Sequence, residues 1–165
     1  VTPTDVEKLL KSLHREEVKF VIIGGAAAVL QGSAYVTADF AFCYSRDKEN
    51  LKKLAAALAS LNPLLRGAPQ DLPFKLDAGT LRSGSNFTLM TDVGAVDILG
   101  EVSGLGNYQN LLPFSEELEF FGLRCRVLTL EGLIKTKRAA GRPKDLMLLP
   151  ELEALIEIRN SPKKR

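Results

Sequence analysis

The sequence predicts an α+β (α/β) chain, a mixed sheet with helices mainly on one face. Three observations carry this. Short apolar runs rich in β-branched residues alternate with longer stretches of helical period. Four of the runs form two pairs about tight turns, the pattern of antiparallel hairpins. No strict strand–helix–strand rhythm runs through the chain, so an all-parallel sheet covered on both faces is not expected. The 165 residues suit one domain. That domain is expected over residues 1–160, with a short basic tail at 161–165.

Thr4-Asp5-Val6-Glu7 has the form of a capping box, with Thr4 as N-cap and Glu7 reaching back. Val6, Leu9, Leu10 and Leu13 then recur at helical spacing, which predicts an amphipathic helix over residues 5–16. Residues 18–23 form an apolar, β-branched run that stops at Gly24-Gly25, the pattern of a buried strand. A short helix over 26–31 follows and ends at Gly32-Ser33. Residues 37–44 alternate weakly and are rich in aromatics, which predicts a second strand. Asp47 caps a strong helix over 48–60, with Leu51, Leu54, Ala55 and Leu58 on one face. Residues 62–73 hold three prolines and a glycine and are expected as a loop. Residues 86–91 and 95–99 form one strand pair around Asp92-Val93-Gly94, and 117–121 and 124–128 another around Gly122. Thr129 caps a helix that runs to Ala140 and stops at Gly141. Pro143 suits the first position of a last helix, which Pro150 breaks or restarts.

Composition narrows the class of function. Hydrophobic residues make up 45% and charged residues 25%, an ordinary globular balance. A net charge of +2 gives no global field that would by itself point to nucleic acid. No apolar run approaches the ~20 residues of a membrane span. The N-terminus alternates in charge without a long apolar core, so no signal peptide is expected. The chain starts at Val1 rather than Met, which suggests processing or trimming. Cys43 and Cys125 are far apart, with neither metal-site spacing nor a disulfide framework. Two buried free thiols are expected, which suits a reducing cytoplasm.

Three features bear on chemistry. The first is Ile23-Gly24-Gly25, where a strand ends in two glycines and opens a short helix. Glycines there let backbone approach a ligand closely, and the helix start supplies free N–H groups. The turn also serves as a plain structural element. It is neither the dinucleotide fingerprint, which needs a third glycine, nor a P-loop, which needs Gly-Lys-Ser/Thr. The second is the stretch from Gly32-Ser33 through Thr37 to Asp39-Phe40-Ala41. Residues 39 and 41 share a strand face. Acids at both would clamp a divalent metal, but only Asp39 is acidic, and a lone Asp there also suits a turn or cap. The third is Asp97 within Val96-Asp97-Ile98-Leu99. A carboxylate inside an apolar strand costs several kcal/mol unless it is paired or metal-bound. The plain alternative is that Asp97 faces solvent from a half-exposed strand.

Taken in this order, the features resemble the nucleotidyltransferase superfamily, the DNA polymerase β-like fold. Its pattern is an apolar residue with Gly-Gly or Gly-Ser, a short helix, Asp-apolar-Asp, and a third carboxylate on a later strand. Gly32-Ser33, Thr37, Leu133-Ile134-Lys135-Thr136-Lys137-Arg138 and Gly141-Arg142-Pro143-Lys144-Asp145-Leu146 look like the small bacterial toxin–antitoxin and abortive-infection subgroup. The resemblance covers about residues 18–155.

It implies a nucleotidyltransferase fold and a transfer in which acids hold two Mg²⁺ ions about 4 Å apart. Asp39 and Asp97 would be the catalytic and metal-binding acids. Gly24, Gly25 and Ser33 would cradle phosphate oxygens of a nucleoside triphosphate. The acceptor would be a hydroxyl of RNA, such as tRNA, or of a protein, and a cognate antitoxin is an expected partner. A membrane is not. The chain departs from the pattern at Ala41, where a methyl replaces the acid expected to bridge both metals. That is either an inactivating substitution or the mark of a non-catalytic member that binds nucleotide or a partner without transfer.

Lys135, Lys137, Arg138, Arg142 and Lys144 form a basic cluster. It suits a triphosphate tail or an RNA acceptor. It equally suits a solvated helix end, where cations complement the dipole. Within it the resemblance implies Lys137 as a catalytic residue, since its place in the Lys-Thr-Lys-Arg run matches the subgroup's helix and it lies one turn from Ile134 on the side bordering the core, and Arg142 as a nucleotide-binding one. His14 lies among charges on the first helix and is expected at the surface.

Overall fold

The computed structural model describes residues 3–35, 37, 39–69 and 71–162. Residues 36 and 38 of the Gly32–Ala41 stretch, and residues 163–165 of the expected tail, lie outside the described residues.

The chain opens with helix α1 (Val6–Arg15), which buries Leu9, Leu10 and Leu13. Its N-cap is Asp5, not the expected Thr4: the Asp5 carboxylate accepts from Lys8 N–H at 3.2 Å. Thr4 is taken by a tertiary bond, its hydroxyl donating to Ala95 O at 2.6 Å. Glu7 faces Lys11 at 3.5 Å one turn on. Asp5→Ala is expected to lower stability by about 1 kcal/mol, the ordinary worth of an N-cap. An unchanged urea midpoint in Asp5→Ala would refute that assignment.

Strand β1 (Phe20–Ile23) leads directly into helix α2 (Gly24–Leu30). The helix starts two residues earlier than expected, because Gly24 takes a φ of +64° that turns strand into helix at once. Strand β2 (Phe40–Tyr44) begins later than the expected 37–44. Just before it the Thr37 hydroxyl bonds locally to Asp39, accepting from Asp39 N–H at 3.3 Å and donating to Asp39 O at 3.1 Å. Helix α3 (Lys48–Ala59) has the expected cap, Asp47 accepting from Asn50 N–H at 2.8 Å.

The proline-rich loop contains a two-residue strand, β3 (Leu64–Leu65). Helix α4 (Ala78–Ser83), capped by Asp77, was not expected. Strands β4 (Phe87–Thr91) and β5 (Gly94–Leu99) form the first expected hairpin. A small ribbon, β6 (Glu101–Val102) with β7 (Gly106–Asn107), leads to helix α5 (Tyr108–Leu111) and a 3-10 turn over Leu112–Phe114. Strands β8 (Ser115–Phe120) and β9 (Leu123–Leu128) form the second hairpin, turning at Phe121 and Gly122, both with positive φ. Helix α6 (Leu130–Ala140) has Thr129 as cap and a left-handed Gly141 as stop. Helix α7 (Pro143–Leu146) starts on Pro143, and helix α8 (Leu149–Asn160) restarts around Pro150.

Seven strands form one sheet in the order β3-β4-β5-β2-β1-β9-β8. β1 runs parallel to β9 and β2 parallel to β5, and the remaining pairs are antiparallel. The mixed sheet and the α+β class are as the sequence predicts. Register places Phe20, Ile22, Phe42, Phe40, Val96 and Ile98 on one face. They are buried, and Leu9, Leu13, Leu54 and Leu58 join them in one core cluster. Cys43 and Cys125 are buried free thiols, pushed up to about 12 and about 11 by burial, with Glu101 adding to the rise at Cys43. Both stay protonated and unreactive at neutral pH.

Candidate functional site

The opposite face of the sheet carries the site. Its register aligns Ile23 with Ala41, Ala41 with Asp97, and Asp97 with Thr88. Cross-strand partners share a face, so these four side chains form one row over β1, β2, β5 and β4. Arg66 extends the row by one strand. It follows β3 directly, and its N–H donates to Thr88 O at 2.9 Å, in line with the Leu65–Leu89 pairing. Local sequence at Arg66 carries no sign of this, because the row exists only when five separated segments pair.

The Arg66 side chain reaches across Thr88 to the two acids. Its Nη2 stands 2.9 Å from Asp97 Oδ1 and donates to Leu89 O at 2.7 Å, and its Nη1 stands 3.7 Å from Asp39 Oδ2. The contact to Asp97 Oδ1 is a close ion pair rather than an aligned hydrogen bond, so that buried oxygen has no aligned donor among the described residues. The side chains of Arg66 and Asp97 are 29% and 24% exposed, so water screens the pair only in part. Burial holds the Asp97 carboxyl above its ordinary value of 3.8, with Arg66 and Lys144 pulling it down and Asp39 pushing it up.

A cavity of about 430 Å³ opens beside this row, lined among others by Gly24, Ala41, Asp97, Lys137, Arg142 and Asp145. Gly24 contributes bare backbone, since its positive φ disfavours a side chain. Helices α6 and α7 bring the cations. Asp145 is the residue that holds them, and its side chain is only 1% exposed. It accepts from Lys137 Nζ at 3.2 Å and from Arg142 Nε and Nη2 at 2.6 and 3.1 Å. The Arg142 hydrogen bonds draw the Asp145 carboxyl below its ordinary value, against burial, and Lys137 adds to the effect. The Arg142-to-Asp145 step of three residues, one helical turn, is a signal from which the pairing could have been read.

The structure therefore brings Gly24, Ala41, Asp97, Lys137 and Arg142 to one cavity. It places the other expected residues elsewhere. A Cβ on Gly25 would meet the Tyr35 ring at 2.9 Å and Thr37 Cβ at 3.0 Å, so Gly25 is a close-packing position rather than cavity lining. Ser33 is buried, and its hydroxyl accepts from Tyr35 N–H at 2.9 Å, which occupies it in a turn. Asp39 is half-exposed and borders a separate cavity of about 340 Å³ with Tyr35, Thr37 and Phe40, and Arg66 stands between it and Asp97. His14 is exposed, with Nε2 2.9 Å from Arg124 O.

The donor set does not fit a two-metal centre. The row offers Asp97 and a methyl where an acid is needed, and no group of three or more His, Cys, Asp or Glu converges among the described residues. No helix among them is long and apolar enough to cross a membrane.

No family model matches the sequence, and no curated protein does. A solved structure does resemble it. The crystal structure of a candidate nucleotidyltransferase from Thermotoga maritima superposes with a TM-score of 0.52 at 17% identity, over 94% of this chain and 90% of that one. At that identity the likeness is one of fold. The chain has a nucleotidyltransferase-like fold, a mixed sheet flanked by helices.

Proposed function

We propose that the chain is a nucleotide-binding domain of nucleotidyltransferase type that performs no two-metal transfer. A nucleoside triphosphate would lie in the main cavity, its phosphates toward Lys137, Arg142 and the bare backbone of Gly24. One observation carries this reading: on the sheet wall the methyl of Ala41 lies in register with Asp97, while two cations held by one buried acid face the same cavity. Lys137 and Arg142 are pre-oriented by Asp145, so little side-chain freedom is lost when an anion arrives.

The experiment is calorimetry of the chain with each nucleoside triphosphate in excess EDTA. Saturable binding is expected, and Lys137→Ala is expected to weaken it about tenfold, the worth of one charge-assisted contact. Absence of binding by all four nucleotides overturns the proposal.

A second reading is Mg²⁺-dependent transfer of a nucleotidyl group to a hydroxyl of RNA or protein, with the attendant expectation of a cognate antitoxin. One observation favours it: the two acids of the pattern, Asp39 and Asp97, stand near enough to each other for one cation to span both, although the cation there is Arg66. Incubation with Mg²⁺, α-labelled triphosphates and total tRNA or cell protein separates the two. The first reading predicts no label transfer. Label that disappears in Asp97→Asn supports the second.

A further inference from the structure

We infer that Arg66 is the resident cation of this centre, so that divalent ions are kept out by two features, Ala41 and Arg66, and restoring an acid at position 41 alone does not restore a metal site. The inference concerns the acids themselves and stands whether or not a nucleotide binds.

The guanidinium is not a passing neighbour of the acids. Backbone pairing fixes where its side chain starts, through Arg66 N–H to Thr88 O at 2.9 Å beside the Leu64–Met90 and Leu65–Leu89 pairs. A hydrogen bond from Nη2 to Leu89 O at 2.7 Å fixes where it ends. Between those anchors it spans the only two carboxylates of the expected metal pattern, at 2.9 Å from Asp97 and 3.7 Å from Asp39. An ion bound to Asp97 Oδ1 would sit within a few ångströms of a fixed positive charge, where like charges repel strongly. The charge count points the same way. Asp39 and Asp97 with Arg66 leave one net negative charge, too little to hold a doubly charged ion stripped of most of its water. Arginine does not deprotonate in proteins, so no ordinary change of pH clears the position.

Ala41 lies in register with Asp97 on the same face, and its Cβ is 3.7 Å from where a Cβ on Gly24 would stand. An acid introduced at 41 would enter beside Asp97 and be drawn to Arg66 as its third carboxylate partner. The substitution would tighten the arginine cluster instead of opening it.

The test is titration of each protein with Mn²⁺ alone, followed by the loss of the free-ion electron paramagnetic resonance signal. Wild type and Ala41→Asp are expected to show no saturable binding below about 1 mM, the weak end of protein sites for divalent ions. Ala41→Asp combined with Arg66→Gln is expected to gain a saturable site at least about tenfold tighter, lost again on adding Asp97→Asn. Gln keeps a donor for Leu89 O without the charge, and Arg66→Met is the alternative if the Gln variant fails to fold. Three results overturn the inference: saturable binding by wild type that Asp97→Asn removes, Ala41→Asp binding as tightly as the double variant, or a folded double variant that binds no better than wild type. Since no nucleotide is present, failure here is separate from failure of nucleotide binding.

Discussion

Asp145→Ala is expected to destabilise the protein by about 3 kcal/mol, as removing one partner of a buried ion pair does. The Asp145 side chain is 1% exposed and accepts from two cations. Without it Lys137, 14% exposed, keeps a charge with no other ion-pair partner among the described residues. Arg142 is 58% exposed and relaxes into water, so the penalty falls mainly on Lys137. Urea denaturation reads the change, and a loss below about 1 kcal/mol would show the cluster to be worth no more than a surface pair. The effect depends on pH with a definite sign. The Asp145 carboxyl titrates below its ordinary 3.8 in the folded chain. Its stabilisation is complete above that value and is lost as pH falls from there through the folded value. The stability gap between wild type and Asp145→Asn therefore narrows below about pH 4.

Arg66→Met is expected to cost about 2 to 3 kcal/mol at neutral pH, somewhat less than a fully buried pair because both partners keep some contact with water. It removes the cation nearest a carboxyl that burial already disfavours. The sign is opposite to that of Asp145. Asp97 sits above its ordinary 3.8, so its ionisation counts against folding as pH rises through the folded value. The penalty of Arg66→Met therefore shrinks in acid, where Asp97 holds a proton. Arg66→Met with Asp97→Asn should be more stable than the sum of the two single changes allows, since the second removes the charge that the first strands. Strict additivity of the two would mean that Arg66 and Asp97 do not interact. Thermal unfolding of the four proteins at pH 7 and pH 4 checks both statements.

These residues show where sequence reading succeeds and where it stops. Helices α3 and α6 were legible because cap, period and stop signal all lie within a dozen or so residues: Asp47 before Lys48, and Thr129 before a run ending at Gly141. Both hairpins were legible from their turn residues. Thr4 misled because a capping box is a local pattern, and Ala95, far along the chain, competed for the same hydroxyl. Strand β3 was missed because two residues carry no period, yet it delivers Arg66. Gly25 and Ser33 stand in the two expected glycine-containing turns, but Tyr35 and Thr37 pack on the first and the Tyr35 N–H occupies the second.

What the sequence determined by itself is the class of fold, the order of its main elements, the acids at 39 and 97 and the methyl at 41 between them in the pattern. All of these depend on residue type and short spacing. Only the tertiary structure decided that the methyl lies in register with Asp97, that Asp145 ties Lys137 to Arg142, and that Arg66 spans the two acids. The physical reason is register. Each of the sheet contacts is set by which residue of one strand pairs with which residue of another, and a shift of one residue would turn Asp97 or Ala41 to the other face.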